Sequence, residues 1–365
     1  MPADLSELIQ HEVDHLDGIL MLKRAWGPDA VRPIEEHARL VGAGRPKHRL
    51  SLDRIAKAEA SIDPVFIHSA QFECEAINDA LSCRATLKVE TANPIRSFKG
   101  RGADFFLQQA IARGDERPLV CASAGNFGQA MAYAGRTRGR KIVVYAAVSA
   151  NPLKVDRMRR LGADVQLAGH DFDAAKEEAR RVAMEEGAWF VEDGLEPEIS
   201  EAAGSIAVEL LEADAAFDEI LLPVGNGALI NGNARWIKAS SPATRITGVC
   251  ATGADCMRQS FERGEPVETE AMSTIADGIG VRIPVPEAVT DMKGIVDEIK
   301  AVTDEQIVAA MRLVFSCAGL LVEPAGAAGL AAVLASPGDF AERNVAVVLC
   351  GGNLTEKQIR EWLVC

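Results

Sequence analysis

Six short apolar runs, PLVCASA, KIVVYAAV, ADVQLA, AWFVED, DEILLPVG and NVAVVLCGG, recur between longer stretches of helical spacing in this 365-residue chain. They read as buried strands, and residues 126–138, 152–161, 172–186, 200–212, 228–239 and 303–317 read as helices. Strands that alternate with helices and are apolar throughout belong in parallel sheets covered on both faces, so the expected class is α/β. The closely spaced strand-helix units from 118 to 193 predict a small open sheet inserted within a larger one, with a cleft between them. Gly, Pro and basic residues in VGAGRPKH, residues 41–48, interrupt two helical patterns. The expected division is therefore a helical appendage over 1–45, a large domain from 46–117 and 194–365, and a small domain over 118–193.

Charge narrows the partners. A net charge of -14 opposes binding to nucleic acid or to an anionic membrane surface, which leaves small molecules as the expected ligands. The eight cysteines form no CxxC pair, and several sit inside apolar runs, as reduced thiols of a cytoplasmic protein do. No apolar run approaches the length of a membrane span, and the amphipathic N-terminus does not read as an export signal.

Candidate chemistry gathers at the strand ends. In ETANPIRSFKGRG, Lys99 follows an extended Pro-containing stretch and opens a helix. A lysine held still and partly desolvated has the reactivity that covalent chemistry on a carbonyl requires; the plainer reading is a surface lysine paired with Glu90. In PVGNGALINGN a strand enters a glycine-rich turn that opens a helix, where exposed amides and the helix N-terminus form a phosphate cradle, or simply a tight turn. It lacks the GxxxxGK[ST] pattern of nucleotide-binding P-loops. In CASAGNFGQA the amides around Ser123, Gly125 and Asn126 suit a carboxylate or phenolate oxygen, while Ser123 or Asn126 as an ordinary helix cap explains the same residues. VVLCGGN delivers Cys350 into a glycine turn, where a structural thiol is the default.

Taken in order, SFKGRG, SAGNFGQ, PVGNGAL, TIADGIGV, VEPAGAAGL and LCGGN resemble the fold type II pyridoxal-phosphate enzymes, and within them the serine and threonine dehydratases. The resemblance runs from about Leu50 to the end of the chain. It implies that Lys99 carries pyridoxal 5'-phosphate, that Phe98 packs beside the ring, and that Asn126 bonds the phenolic oxygen. It also implies that the amides of Gly225, Asn226, Gly227, Ala228 and Leu229 hold the phosphate, and that Cys350 faces the pyridine nitrogen. Ser123, Ala124, Gly125, Asn126 and Gln129 would receive the substrate carboxylate. The implied activity is α,β-elimination of a β-hydroxy amino acid to a 2-keto acid and ammonia, with a threonine-synthase-like or β-replacement reaction as the alternative. A homodimer is expected.

Departures from the family pattern bear on the substrate. Arg96 stands where relatives usually carry Gly, and Phe127 where they carry His. Asn226 and Ala228 lean toward threonine synthases. Cys250 takes the place of a Glu that joins a divalent-cation site in some members, so no tightly bound magnesium or calcium is expected there, and a monovalent ion is left open. Ala124 replaces the serine that serves as the second-face proton donor in related racemases, so elimination from one enantiomer without racemisation is expected.

One motif lies outside this pattern. QHEVDHLDG contains His11, Glu12 and His15 at zinc-hydrolase spacing, and its flanks are similar to the last helix of peptide deformylase. A catalytic zinc needs a third protein ligand, and the ten residues upstream contain no cysteine. The segment is therefore expected to be an appendage and not a metal site.

Overall fold

The computed structural model describes residues 48–123, 125–212 and 216–364. Residues 49–365 form one compact unit. Its strands are β1 (Gln71–Glu73), β2 (Arg84–Val89), β3 (Leu119–Ala122), β4 (Ile142–Ala146), β5 (Asp164–Leu167), β6 (Trp189–Phe190), β7 (Glu219–Pro223), β8 (Arg245–Ala251), β9 (Glu298–Val302) and β10 (Asn344–Leu349). They build a six-stranded sheet in the order β1-β2-β10-β7-β8-β9 and a four-stranded sheet in the order β5-β4-β3-β6. Every pairing is parallel except that of β1 with β2. β1 is a short, exposed edge, joined to β2 through the helix Glu75–Leu81.

All six expected runs contain strands, and all the strands of the smaller sheet lie between residues 119 and 190. β1, β2, β8 and β9 of the larger sheet lie outside those runs. In β2 and β9, RATLKV and EIKAV, basic residues break the apolar pattern, yet Lys88 is 1% exposed. The expected helix over 200–212 is two helices, Pro197–Ala203 and Ser205–Leu211, joined at Gly204. There the chain packs against Gly232 of the helix Ala228–Ser240, and a Cβ on Gly204 would lie 2.7 Å from the Gly232 carbonyl oxygen. That contact fixes the helix whose N-terminus follows β7. The helix Pro324–Ala335, PAGAAGLAAVLA, is apolar on every side and is buried behind the larger sheet, as a central core helix must be.

Lys88 belongs to a buried charge network. Arg101, in the helix Lys99–Ala112, donates from Nε to Glu90 Oε2 at 2.9 Å, from Nη2 to Glu90 Oε1 at 2.8 Å and from Nη1 to Ser205 Oγ at 2.9 Å. It also pairs with Glu209, which accepts from Lys88 Nζ at 2.5 Å. Arg101 and Glu90 are both fully buried. The network joins β2, the Lys99 helix and the helix Ser205–Leu211, and every charge in it has a partner. Arg101→Ala leaves Glu90 without its cation and is expected to cost about 3–5 kcal/mol of unfolding free energy, measured by chemical denaturation.

Among the described residues, no helix is long and apolar enough to cross a membrane.

Candidate active site

A cavity of about 480 Å³ collects residues from the ends of strands in both sheets. Phe98, Lys99, Ser123, Gly125, Asn126, Asn226 and Cys350 all line it, so residues from both ends of the described sequence face one space. Lys99 is the first residue of its helix. The segment before it is tied to the CGG turn: Ser97 bridges Gly351, Phe98 N donates to Cys350 O at 3.1 Å, and Gly352 N donates to Arg96 O at 2.9 Å. Arg96 holds a left-handed φ of 54°, a conformation that glycine adopts without strain and arginine does not. Its guanidinium is lowered from its ordinary pKa by burial and by the nearby Arg157, with Glu323 opposing.

The Lys99 ammonium lies 4.6 Å from the centre of the Phe98 ring and 2.5 Å from Asp193 Oδ2. Glu90, the partner expected for a plain surface lysine, serves Arg101 instead, and Lys99 is largely buried. Ser123 Oγ accepts from the amides of Gly125 at 3.1 Å and Gly128 at 2.9 Å, so its hydroxyl shapes the turn that opens the helix Asn126–Thr137. Gln129 is buried and does not line the cavity, and its Nε2 has no partner. Ala124 lies outside the described residues, as do His11, Glu12 and His15.

Asn126 is gripped at both ends of its amide. Its Nδ2 donates to Glu323 Oε1 at 2.6 Å and its Oδ1 accepts from Asn353 Nδ2 at 2.9 Å, while Glu323 Oε2 accepts from Asn353 N at 2.9 Å. The other hydrogen on Nδ2 is left for an acceptor in the cavity. Gly351 makes this triad possible, because a Cβ there would lie 2.3 Å from Glu323 Oε1. Burial, reinforced by the charge of Asp277, pushes the Glu323 carboxyl up to about 7, against the Asn353 amide, Lys154 and Asn126.

The turn after β7 has the form of an anion cradle. Gly227 sits at φ 90°, the amides of Gly225, Asn226 and Gly227 make no hydrogen bond among the described residues, and Ala228 and Leu229 open the helix Ala228–Ser240. On Gly225 a Cβ would crowd the Gly278 carbonyl at 3.2 Å. Cys350 donates weakly to Ala325 O at 3.7 Å, and burial raises its thiol well above the ordinary range, so it stays neutral. A lysine over an aromatic ring, a neutral thiol, free amides at a helix start and an asparagine with a spare donor fit an aldehyde-bearing aromatic phosphate.

The sequence model of the pyridoxal-phosphate dependent enzymes matches residues 68–351. The chain belongs to this family. Among curated proteins it is 32% identical over 310 residues to the L-threonine ammonia-lyase of Thermotoga maritima, covering 85% of this chain and 77% of that one. Among solved structures it is similar to the processed form of threonine deaminase isoform 2 from Solanum lycopersicum, with a TM-score of 0.78 and 26% identity over 85% of this chain and 93% of that one. Maize serine racemase superimposes with a TM-score of 0.79 at 26% identity, over 86% of this chain and 96% of its own. The fold is that of the fold type II pyridoxal-phosphate enzymes, as expected, and the cofactor is pyridoxal 5'-phosphate.

Three residues in or beside the cavity of this pyridoxal-phosphate enzyme escape a reading of its sequence. Glu323 lies in VEPAGAAGL, a block recognised without a role for its acid, and Asn353 ends LCGGN. Asp193 closes the AWFVED run, where an acid at a strand end gives no local signal. At Cys250, the position of the family's cation-site Glu, the thiol is buried and donates to Val224 O at 3.7 Å. Among the described residues there is no cluster of His, Cys, Asp and Glu suited to a metal ion.

The raised Glu323 acid makes stability depend on pH. Its folded pKa of about 7 exceeds the ordinary value, so its contribution is fully present below the unfolded pKa and is lost as pH rises through 7. Between pH 5 and 8 the loss should be on the order of 2–3 kcal/mol. Glu323→Gln should remove that share of the slope, read from denaturation midpoints of the two proteins across this range.

Proposed function

We propose that this enzyme eliminates the β-hydroxyl and α-hydrogen of a β-hydroxy amino acid such as threonine or serine, releasing a 2-keto acid and ammonia. The observation that carries the reading is the convergence of Lys99, Asn126 and Cys350 on one cavity with Asn226, the middle residue of a turn whose amides are free. Similarity along most of the chain to an L-threonine ammonia-lyase supports it.

Lys99 would hold the cofactor, the amides from Gly225 to Leu229 would bind its phosphate, and Asn126 would direct its spare Nδ2 hydrogen to the ring oxygen. Phe98 would pack beside the ring and neutral Cys350 would face the ring nitrogen. When bound, pyridoxal phosphate supplies an electron sink for the carbon that loses its proton. The loop of Ser123, Gly125 and Asn126 receives the substrate carboxylate. Lys99 Nζ takes the α-proton. The released unsaturated amino acid hydrolyses to the keto acid and ammonia.

The two sheets support a small domain over 118–193 and a large one over 46–117 and 194–365, with residues 1–45 outside the chemistry. We place the enzyme in the cytoplasm as a homodimer.

Threonine, serine, 3-hydroxyaspartate and 3-phenylserine assayed with the holoenzyme should yield ammonia and keto acid from at least one. Lys99→Ala should reduce that turnover by at least about 10³-fold. Ammonia from none of the four would sink the elimination reading and favour a replacement reaction.

A further inference from the structure

Among the described residues, Asp193 is the cavity-lining carboxylate that touches the lysine of the reaction. Its Oδ2 accepts from Lys99 Nζ at 2.5 Å, and among the described residues that is the side chain's sole hydrogen bond; Oδ1 is buried without a partner. The side chain of Asp193 is 9% exposed. Asp173, Glu192 and Asp277, the neighbouring acids, each pair with a cation other than Lys99.

The backbone fixes Asp193 in place. Gly194 follows it at φ 87°, so close to the phosphate loop that a Cβ would lie 2.2 Å from Asn226 O. The Gly194 carbonyl accepts from Arg49 Nη2 at 3.1 Å, and Arg49 is itself anchored on Asp291. A carboxylate held this firmly against a reactive amine can do more than neutralise it. It is within hydrogen-bond reach of the proton that the amine collects.

We propose that Asp193 is a second catalytic residue, which passes the proton gathered by Lys99 to the departing hydroxyl. The proposal rests on the elimination reading above. Lys99 Nζ takes the α-proton, and the electrons of that C–H bond form the Cα–Cβ double bond as the Cβ–O bond breaks with its pair on oxygen. The proton moves from Nζ to Asp193 Oδ2 and then to that oxygen, which leaves as water. Lys99 ends as a neutral amine and Asp193 as a carboxylate, so no outside acid or base is consumed.

Hydroxide is a poor leaving group that needs this proton, whereas chloride departs as an anion and does not. Asp193→Asn is therefore compared with wild type on serine and on β-chloroalanine, with bound cofactor quantified after alkaline release. The variant should hold cofactor at wild-type stoichiometry. Its ratio of serine to β-chloroalanine turnover should fall at least about thirtyfold, within the range that general acid catalysis supplies. Equal losses on both substrates, or no loss on serine, would overturn the proposal. Should the Asn variant fail to hold cofactor, the ratio is read on Asp193→Glu, whose extra methylene displaces the carboxylate from Nζ; there a fall supports the proposal and an unchanged ratio overturns it. A wild-type enzyme that turns over neither substrate removes the elimination reading itself, a result distinct from a wild type that turns over both and a variant that does not discriminate.

Discussion

A single guanidinium shared by two buried carboxylates underlies the geometry of this enzyme. Arg101 lies two residues past Lys99 on the same helix, and Glu90 and Glu209 hold it to β2 and to the helix Ser205–Leu211. β2 and the distant helix Ser205–Leu211 are thereby fixed around the start of the Lys99 helix. An ion network of this kind contributes little net stability over an apolar core of the same shape, yet each member becomes costly to lose once the others are buried. Its consequence here is positional: the first turn of the helix that carries Lys99 has little freedom to shift.

A second constraint joins the strand ends of the two sheets. Asn126 begins a helix after β3, Glu323 precedes the helix Pro324–Ala335, and Asn353 follows β10. Their mutual hydrogen bonds bring the smaller sheet's asparagine loop against the larger sheet's glycine turn, and Gly351 leaves the space they require. Lys154 with Asp277, and Arg282 with Asp173, add ion pairs between the two halves of the cavity wall. The cavity is thus bounded by pairs of residues that depend on one another, and the chemistry proposed for Lys99 and Asp193 takes place between them.

What the sequence makes legible is local. A strand followed by a glycine-rich turn and a helix carries its own signal, and for that reason the turns holding Lys99, Asn126, Gly225 and Cys350 stand out in the amino-acid order alone. β2 does not stand out, because Lys88 breaks its apolar run and its counter-charge, Glu209, is distant in sequence. The break at Gly204 is similar: nothing nearby announces that the Gly232 backbone will press against it. Asp193 and Glu323 escape for the same physical reason. An acid acquires its role from a partner brought to it by the fold, and neither Lys99 nor Asn126 is close to its partner in sequence.

Of the lysines that line the cavity, Lys99 is the one proposed to carry the cofactor. Lys154 and Lys176 also line it, each paired with a carboxylate. Reduction of the holoenzyme with borohydride fixes the bound group to its lysine, and peptide mapping by mass spectrometry then locates it. One pyridoxyl group per chain is expected, on the peptide that contains Lys99. Stoichiometric label on Lys154 or Lys176, with Lys99 unmodified, would contradict it.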